Sequence, residues 1–175
     1  SGARFDEQRL LWMNGTWIRS LDLDDLFERS AGYFPESAES ASEKYKKAVL
    51  ALIQERLKYF AEIPLLTSFF FSDPAVDLEL ITTNKQLKKL EYNELVHLLE
   101  AVHADLTDTE FTAEAIQETL NQLLEKTGQK PGVLFSLVRV ATTWAPFSPN
   151  LAESLAVLGR ETSLARIEKA IKSLS

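Results

Sequence analysis

Hydrophobic side chains recur every three or four residues along most of this sequence, and no stretch alternates apolar and polar residues long enough to predict a strand. The pattern predicts an all-α protein, built as two small helical bundles in series. Capping residues, prolines and glycines set the expected helix ends. One helix or two short ones are predicted over residues 5–19. Further helices are predicted from 22, from 43 to a break at Pro64, from 83 or 84 to about 102, from 112 to 128, over 131–143, and from 149 to 159.

A division of the chain is expected after the short, very apolar segment at residues 65–71, which would complete a first core. Ser72, Asp73 and Pro74 interrupt the helical pattern, and the composition then becomes acidic. We therefore expect one subdomain over residues 21–76 and a second over residues 77–175.

The turn between the last two predicted helices, Trp144-Ala145-Pro146-Phe147, carries the most suggestive chemistry. It is too short and too kinked by proline to form an element, so we expect a surface turn that exposes both aromatic rings. Arg139 lies off the apolar stripe of the preceding helix. Exposed aromatic rings beside an arginine indicate a ligand site. Trp12 and Trp17, in contrast, have the spacing of core residues.

Composition narrows the class of protein. The 175 residues include no cysteine, which excludes disulfides and thiolate chemistry, and no apolar run long enough to span a membrane. A monomeric cytoplasmic protein without membrane contacts is expected.

His97 and His103 do not share a helical face, so no metal site is expected. Ser1 and Gly2 resemble the remnant of a cleaved tag, as in an excised fragment.

The net charge of −7 is unevenly distributed. Residues 1–76 carry 9 basic and 12 acidic side chains, residues 77–125 carry 3 and 11, and residues 126–175 carry 7 and 3. Only the last third, which contains the aromatic turn, is basic. This distribution suits a protein that touches RNA locally.

Catalytic signatures are absent from the sequence. It contains no phosphate-binding glycine loop, and its serines, histidines and acids do not assemble into a recognisable catalytic set. No carboxylate pair stands out from the many that are expected at the surface. The composition therefore favours a binding module over an enzyme.

Three segments resemble one known family. PGVLFSLVRVATT followed by SPNLAESLAVLGRETSLARI is similar to the C-terminal end of bacterial-type glutamyl-tRNA synthetases, and FDEQRLLWMNGTWIR is similar to a segment of the same family. QERLKYFAEIP, in the middle of the chain, resembles that family's arginine-bearing helix and the proline after it. The matches occur in the family's order and cover essentially the whole chain.

The resemblance implies an α-helical anticodon-binding region whose partner is the anticodon loop of a glutamate tRNA. Residues 5–20 would be the end of the stem-contact part. The other expected partners are the ligase's own catalytic and stem-contact domains. ATP and Mg²⁺ would belong to the catalytic domain, so this fragment is expected to hold no cofactor and to have no catalytic residue.

The resemblance also implies site residues. The family's anticodon-reading arginine corresponds to Arg56, which would meet the third anticodon base, cytosine in glutamate tRNAs and guanine in glutamine tRNAs. A guanidinium can donate to the acceptor edge of cytosine, whereas the Watson–Crick edge of guanine offers donors. The family's second cluster, which lines the pocket for the first two anticodon bases, corresponds to Arg139, Ser148, Pro149 and Leu151.

The chain departs from the family at this cluster. Leu137-Val138 stands where proline and leucine are common, Trp144 stands where glycine is common, and Ser148-Pro149-Asn150 replaces Thr-Pro-Gly. Two alternatives follow: Trp144 or Phe147 stacks on an unstacked base, or Trp144 folds back over the helix junction.

Two other functions compete with anticodon binding. A helical protein-interaction module would use Arg56 and the turn to contact a protein groove and would ignore RNA. A free-standing helical enzyme is the third alternative, although no set of residues supports it.

Overall fold

The structure, a computed structural model, describes residues 2–175, with side chains from residue 6 onward. Ser1, half of the expected tag remnant, lies outside the described residues. Every element in the described part is helical, which confirms the all-α prediction. The chain divides into two compact units, Ser1–Asp73 (unit 1) and Pro74–Ser175 (unit 2). The assignment of functions to residues 1–20, 21–76 and 77–175 stays a prediction.

The described residues of unit 1 form four α-helices joined by short 3₁₀ turns. The helices are α1 (Gly2–Ser20), α2 (Leu23–Ser30), α3 (Glu43–Ile53) and α4 (Ile63–Phe71). The 3₁₀ turns are Ala31–Tyr33, Glu36–Ala38, Gln54–Arg56 and Phe60–Glu62.

Unit 2 contains six α-helices and one 3₁₀ turn. The helices are α5 (Glu79–Thr82), α6 (Tyr92–Thr107), α7 (Ala113–Thr127), α8 (Pro131–Thr143), α9 (Leu151–Leu158) and α10 (Arg160–Leu174), and the 3₁₀ turn is Leu87–Lys89. No helix among the described residues combines the length and the apolar character that crossing a membrane requires.

Local capping explains several helix ends that the sequence predicted. Asp22 accepts a hydrogen bond from the backbone N–H of Asp25 (2.8 Å) at the start of α2, as an N-cap carboxylate does. Thr112 accepts from the N–H of Ala115 (3.3 Å) at the start of α7, and Gly128 ends that helix with φ at 69°. The predicted start of α2 and both ends of α7 are therefore confirmed.

The predicted long helix from residue 43 to Pro64 is wrong in its second half. α3 ends at Ile53, the 3₁₀ turn Gln54–Arg56 follows, and Leu57 is extended. Pro64 lies in the first turn of α4, where a missing N–H costs nothing, so it begins a helix. Apolar spacing misled the prediction because Leu57 and Phe60 continue the helical period across a non-helical segment.

The predicted helix from residue 83 or 84 to 102 is also interrupted. Asn84 does cap a turn, but that turn is the 3₁₀ segment Leu87–Lys89, and Leu90 is extended. A new helix, α6, begins after Glu91, whose side chain forms a reciprocal capping box with Glu94.

The last junction is displaced by two residues. α9 starts at Leu151, not at the predicted residue 149, because the Asn150 side chain accepts from the N–H of Glu153 (3.1 Å) and acts as the N-cap. α8 runs from Pro131 to Thr143, as predicted.

Each unit has its own hydrophobic core. Six fully or almost fully buried side chains form the core of unit 1: Ile18, Leu26, Leu50, Ile53, Leu57 and Ile63. The larger core of unit 2 is built from α6, α7, α8, α9 and α10. The expectation that Trp12 and Trp17 are core residues is wrong, because they are 67% and 42% exposed.

The core assignment in unit 1 predicts a difference between two identical substitutions. Leu57→Ala removes a side chain with no exposed surface, whereas Leu65→Ala removes one that is 67% exposed. We expect Leu57→Ala to lower the free energy of unfolding by about 2–5 kcal/mol, and Leu65→Ala to lower it by less than about 0.5 kcal/mol. Urea unfolding followed by circular dichroism measures both, and equal losses would contradict the assigned core.

Candidate nucleic-acid interface

Arg56 lies at the end of a firmly anchored turn in unit 1. The Gln54 side-chain amide donates to the carbonyls of Ile18 (3.0 Å) and Leu21 (2.9 Å), which ties the turn to the end of α1. On the other side, the Leu57 side chain is completely buried. Arg56 itself is exposed and forms no hydrogen bond or ion pair with the residues that the structure describes. Its guanidinium donors are therefore available to a ligand.

Arg139 is held differently, on the half-buried stripe of α8 in unit 2. Its Nε donates a 2.7 Å hydrogen bond to the hydroxyl of Ser148, nine residues later. The Ser148 hydroxyl also donates to the carbonyl of Pro149 (3.2 Å) and is almost completely buried. The predicted proximity of Arg139 and the 148–151 segment is thus present in the structure, and Ser148 fixes the direction of the guanidinium.

The C-terminus of α8 is capped by a second arginine. Arg166 of α10 is 7% exposed, and its Nη1 donates to the carbonyl of Thr142 (2.8 Å). The carbonyls of the last turn have no partner within their helix, and a cation there complements the helix dipole. The contact links the end of α8 to α10 and fixes where the following turn begins.

Trp144 ends α8 in the left-handed conformation, with φ at 43° and ψ at 41°. Its N–H donates to the carbonyl of Val140 (2.8 Å), and its ring is 8% exposed and packs with the core of unit 2. The expectation that this residue exposes its ring in a surface turn is therefore wrong. The alternative in which Trp144 folds back over the helix junction agrees with the structure.

The remaining candidates differ in exposure. Phe147 is half-buried, whereas Ser148, Pro149 and Leu151 are buried. Three candidate side chains are thus reachable by a ligand: those of Arg56, Arg139 and Phe147. Contact between the seven candidates and RNA stays a prediction.

A pocket of about 360 Å³ opens beside Arg139 in unit 2. Helix α8 supplies one wall, the turn after it supplies the rim, and α5 with the loop that follows supplies the opposite wall. These parts contribute Ser136, Arg139 and Val140, then Ala145 and Pro146, then Leu80, Thr83 and Asn84.

Most of this lining was missed from the sequence. Ser136 could have been found, because it lies one helical turn before Arg139 and shares its face. Thr83 and Asn84 carried no such signal, since they join the pocket only through the tertiary packing of α5 and the Leu87–Lys89 turn on α8. The complete pocket combines a guanidinium, hydroxyl groups, an amide and apolar walls, which suits a flat polar ligand such as a nucleobase.

Metal-binding clusters are absent from the described side chains, where no group of three or more His, Asp or Glu residues could hold an ion. His103 instead bonds Glu168 (2.9 Å) and joins α6 to α10. His97 lies 3.5 Å from Glu100 on its own helix.

Comparison with known proteins identifies the family. The chain belongs to the anticodon binding domain family, which matches residues 22–171. This confirms the family to which the three sequence segments pointed.

The relatives are glutamate–tRNA ligases. The chain is 36% identical to the ligase of Chloroflexus aurantiacus over 99% of its own length, and 31% identical to that of Bacillus subtilis over 96%. It spans only 36% and 35% of those two proteins, about a third of their length.

A solved structure shares the fold. A glutamate tRNA ligase from Elizabethkingia meningosepticum superimposes with a TM-score of 0.77 at 21% identity, covering 94% of this chain and 32% of that one. At that identity the likeness establishes the fold alone.

The backbone at Trp144 predicts an unusual order of stability. Trp144→Ala should lower the free energy of unfolding by about 3–5 kcal/mol, because a buried ring is lost. Trp144→Gly should be less damaging by about 1 kcal/mol, since glycine adopts positive φ without strain. Urea unfolding of both variants measures the difference. A glycine variant less stable than the alanine variant would contradict the left-handed conformation at this position.

Proposed function

We propose that this chain is the anticodon-binding part of a glutamate–tRNA ligase and that it binds the anticodon loop of a glutamate tRNA. The observation that carries the proposal is the match to glutamate–tRNA ligases over almost the entire chain. The guanidinium of Arg56, which is exposed and has no partner among the described residues, supports it from the structure, because the resemblance implies base reading at this position.

Arg56 reads the third anticodon base. Its planar guanidinium presents donors only, so it pairs with the N3 and O2 acceptors of cytosine. Guanine presents N–H donors at its Watson–Crick edge, and two sets of donors cannot bond each other. Because Gln54 and Leu57 fix the backbone on either side, little ordering of the turn is needed when the base binds. Arg56 thus favours glutamate over glutamine tRNAs.

The Arg139 pocket holds another unstacked anticodon base. The Arg139 Nε already donates its hydrogen bond to Ser148. The rest of the guanidinium lies on the half-exposed stripe of α8. Phe147, half-exposed beside this pocket's rim, is the aromatic side chain that can stack on a base here. Trp144 acts indirectly: its buried ring fixes the start of the turn that carries Ala145 and Pro146.

The exposed apolar face of α1 fits the rest of the same ligase. Leu10, Met13 and Trp17, which repeat at i, i+3 and i+7 on one side of the helix, are 66%, 51% and 42% exposed, which is unusual for large apolar side chains on one face. Since the relatives are almost three times as long as this chain, we assign this face to the ligase's stem-contact part. Attachment of glutamate, with ATP and Mg²⁺, would then occur in the catalytic part of that protein.

Substitution of Arg56 tests the proposal at the third anticodon base. Wild-type protein should bind a glutamate anticodon stem-loop and lose affinity when the third base is changed from cytosine to guanine. Arg56→Gln should reduce that preference by about 5- to 150-fold, equivalent to about 1–3 kcal/mol for a bidentate contact. Affinities for both stem-loops, measured by fluorescence anisotropy at one salt concentration, give the ratio.

Arg9→Gln is the matched control. Arg9 is an exposed arginine of the same unit, and its substitution removes the same charge. The control should keep the wild-type preference for cytosine. Wild-type protein that binds both stem-loops equally, or binds neither, would refute anticodon reading and leave a protein-interaction module as the better interpretation.

A further inference from the structure

The basic side chains of the acidic segment are gathered in one place. Residues 77–125 carry 11 acidic side chains and 3 basic ones, and the basic ones are Lys85, Lys88 and Lys89. They lie within five consecutive positions, so one short turn is strongly basic in an otherwise acidic stretch.

This lysine turn, residues 85–89, has a fixed backbone. The Asn84 side-chain oxygen accepts from the N–H groups of Gln86 (2.9 Å) and Leu87 (3.1 Å), and the Leu87 side chain is completely buried. The backbone of the turn is therefore already ordered in the folded protein. A ligand that binds there loses conformational entropy only by immobilising side chains.

The three lysines are exposed and form no ion pair with any residue that the structure describes. Two other lysines of the chain are paired with carboxylates. Lys47 bonds Asp24 (2.8 Å) and Glu43 (2.6 Å), and Lys126 bonds Asp105 (2.9 Å). Three ammonium groups within five positions that pair with no carboxylate of the described residues repel each other, and an anion bound among them relieves that repulsion.

The lysine turn borders the Arg139 pocket. Asn84, whose side chain caps the turn, is itself part of the pocket lining. The side chain of Gln86 packs against Gly132 of α8, where an added Cβ would lie 3.3 Å from the Gln86 Cδ. Asn84 thus connects the turn to the pocket wall, and Gln86 packs it against α8, the helix that carries Arg139.

We propose that Lys85, Lys88 and Lys89 form a phosphate-binding rim that holds the RNA backbone of the nucleotides flanking the base in the Arg139 pocket. The inference rests on the proposed function and adds a site to it. Phosphate contacts position a nucleic acid without reading its sequence, so these lysines supply affinity and placement while Arg56 supplies selectivity. The acidic remainder of the segment confines the attraction to this rim.

The test is the salt dependence of binding by the whole 175-residue chain. Lys88→Gln/Lys89→Gln should lower the slope of log K against log salt by roughly 1 to 1.5 and weaken binding of the glutamate anticodon stem-loop about 5- to 20-fold at low salt. The ratio of affinities for cytosine and guanine at the third base should stay unchanged.

Lys169→Gln/Lys172→Gln is the control, since both lysines are exposed on α10, lack ion pairs among the described residues, and line no part of the pocket. It should keep the wild-type slope. If Lys88→Gln/Lys89→Gln also keeps that slope while wild-type protein still prefers cytosine, the phosphate rim is refuted and the proposed function stands. If wild-type protein shows no preference between the stem-loops, the proposed function is refuted, and the phosphate-binding rim, which rests on it, is refuted as well.

Discussion

Burial of α8 is the constraint on which the second unit depends. Eight of its thirteen residues are buried, and it packs against α5, α6, α7, α9 and α10. Ser136 and Arg139, three residues apart and therefore on one face, lie on the narrow stripe that remains half-exposed. The packing of the apolar positions thus decides where the arginine can point. At the end of the helix, the same packing holds Trp144 in a left-handed conformation that strains a non-glycine residue by about 1–3 kcal/mol.

The two candidate arginines occupy opposite kinds of environment. Arg139 is half-buried and its Nε is bonded to a buried hydroxyl, so its orientation is set before any ligand arrives. Arg56 is exposed on a 3₁₀ turn whose backbone is fixed, and its side chain has no hydrogen-bond or ion-pair partner among the described residues. A pre-oriented guanidinium suits a ligand that binds in one fixed geometry. An exposed one whose donors are available to a ligand suits the selective contact proposed for Arg56.

Local signals in the sequence were sufficient for part of this structure. Pro131, Thr112 and Gly128 act on their own helix ends, and they marked α7 and α8 correctly. The end of α3 at Ile53 was hidden, because buried apolar residues can keep a helical spacing through 3₁₀ turns. The proximity of Arg139 and Ser148 could be expected from a short turn, whereas Asn84 reaches the same pocket only through tertiary packing. Burial of Trp144 was undecided in the sequence, since a tryptophan in a turn suits either a ligand or a core.

The most direct measurement is nuclear magnetic resonance of the arginine Nε–H groups during titration with a glutamate anticodon stem-loop. If both arginines bind the same anticodon loop, their signals should shift together and saturate at the same RNA concentration. With guanine as the third anticodon base, the Arg56 shift should be lost while the Arg139 shift remains. Signals of Arg56 and Arg139 that stay unmoved while the RNA binds elsewhere on the chain would contradict anticodon binding by these two residues.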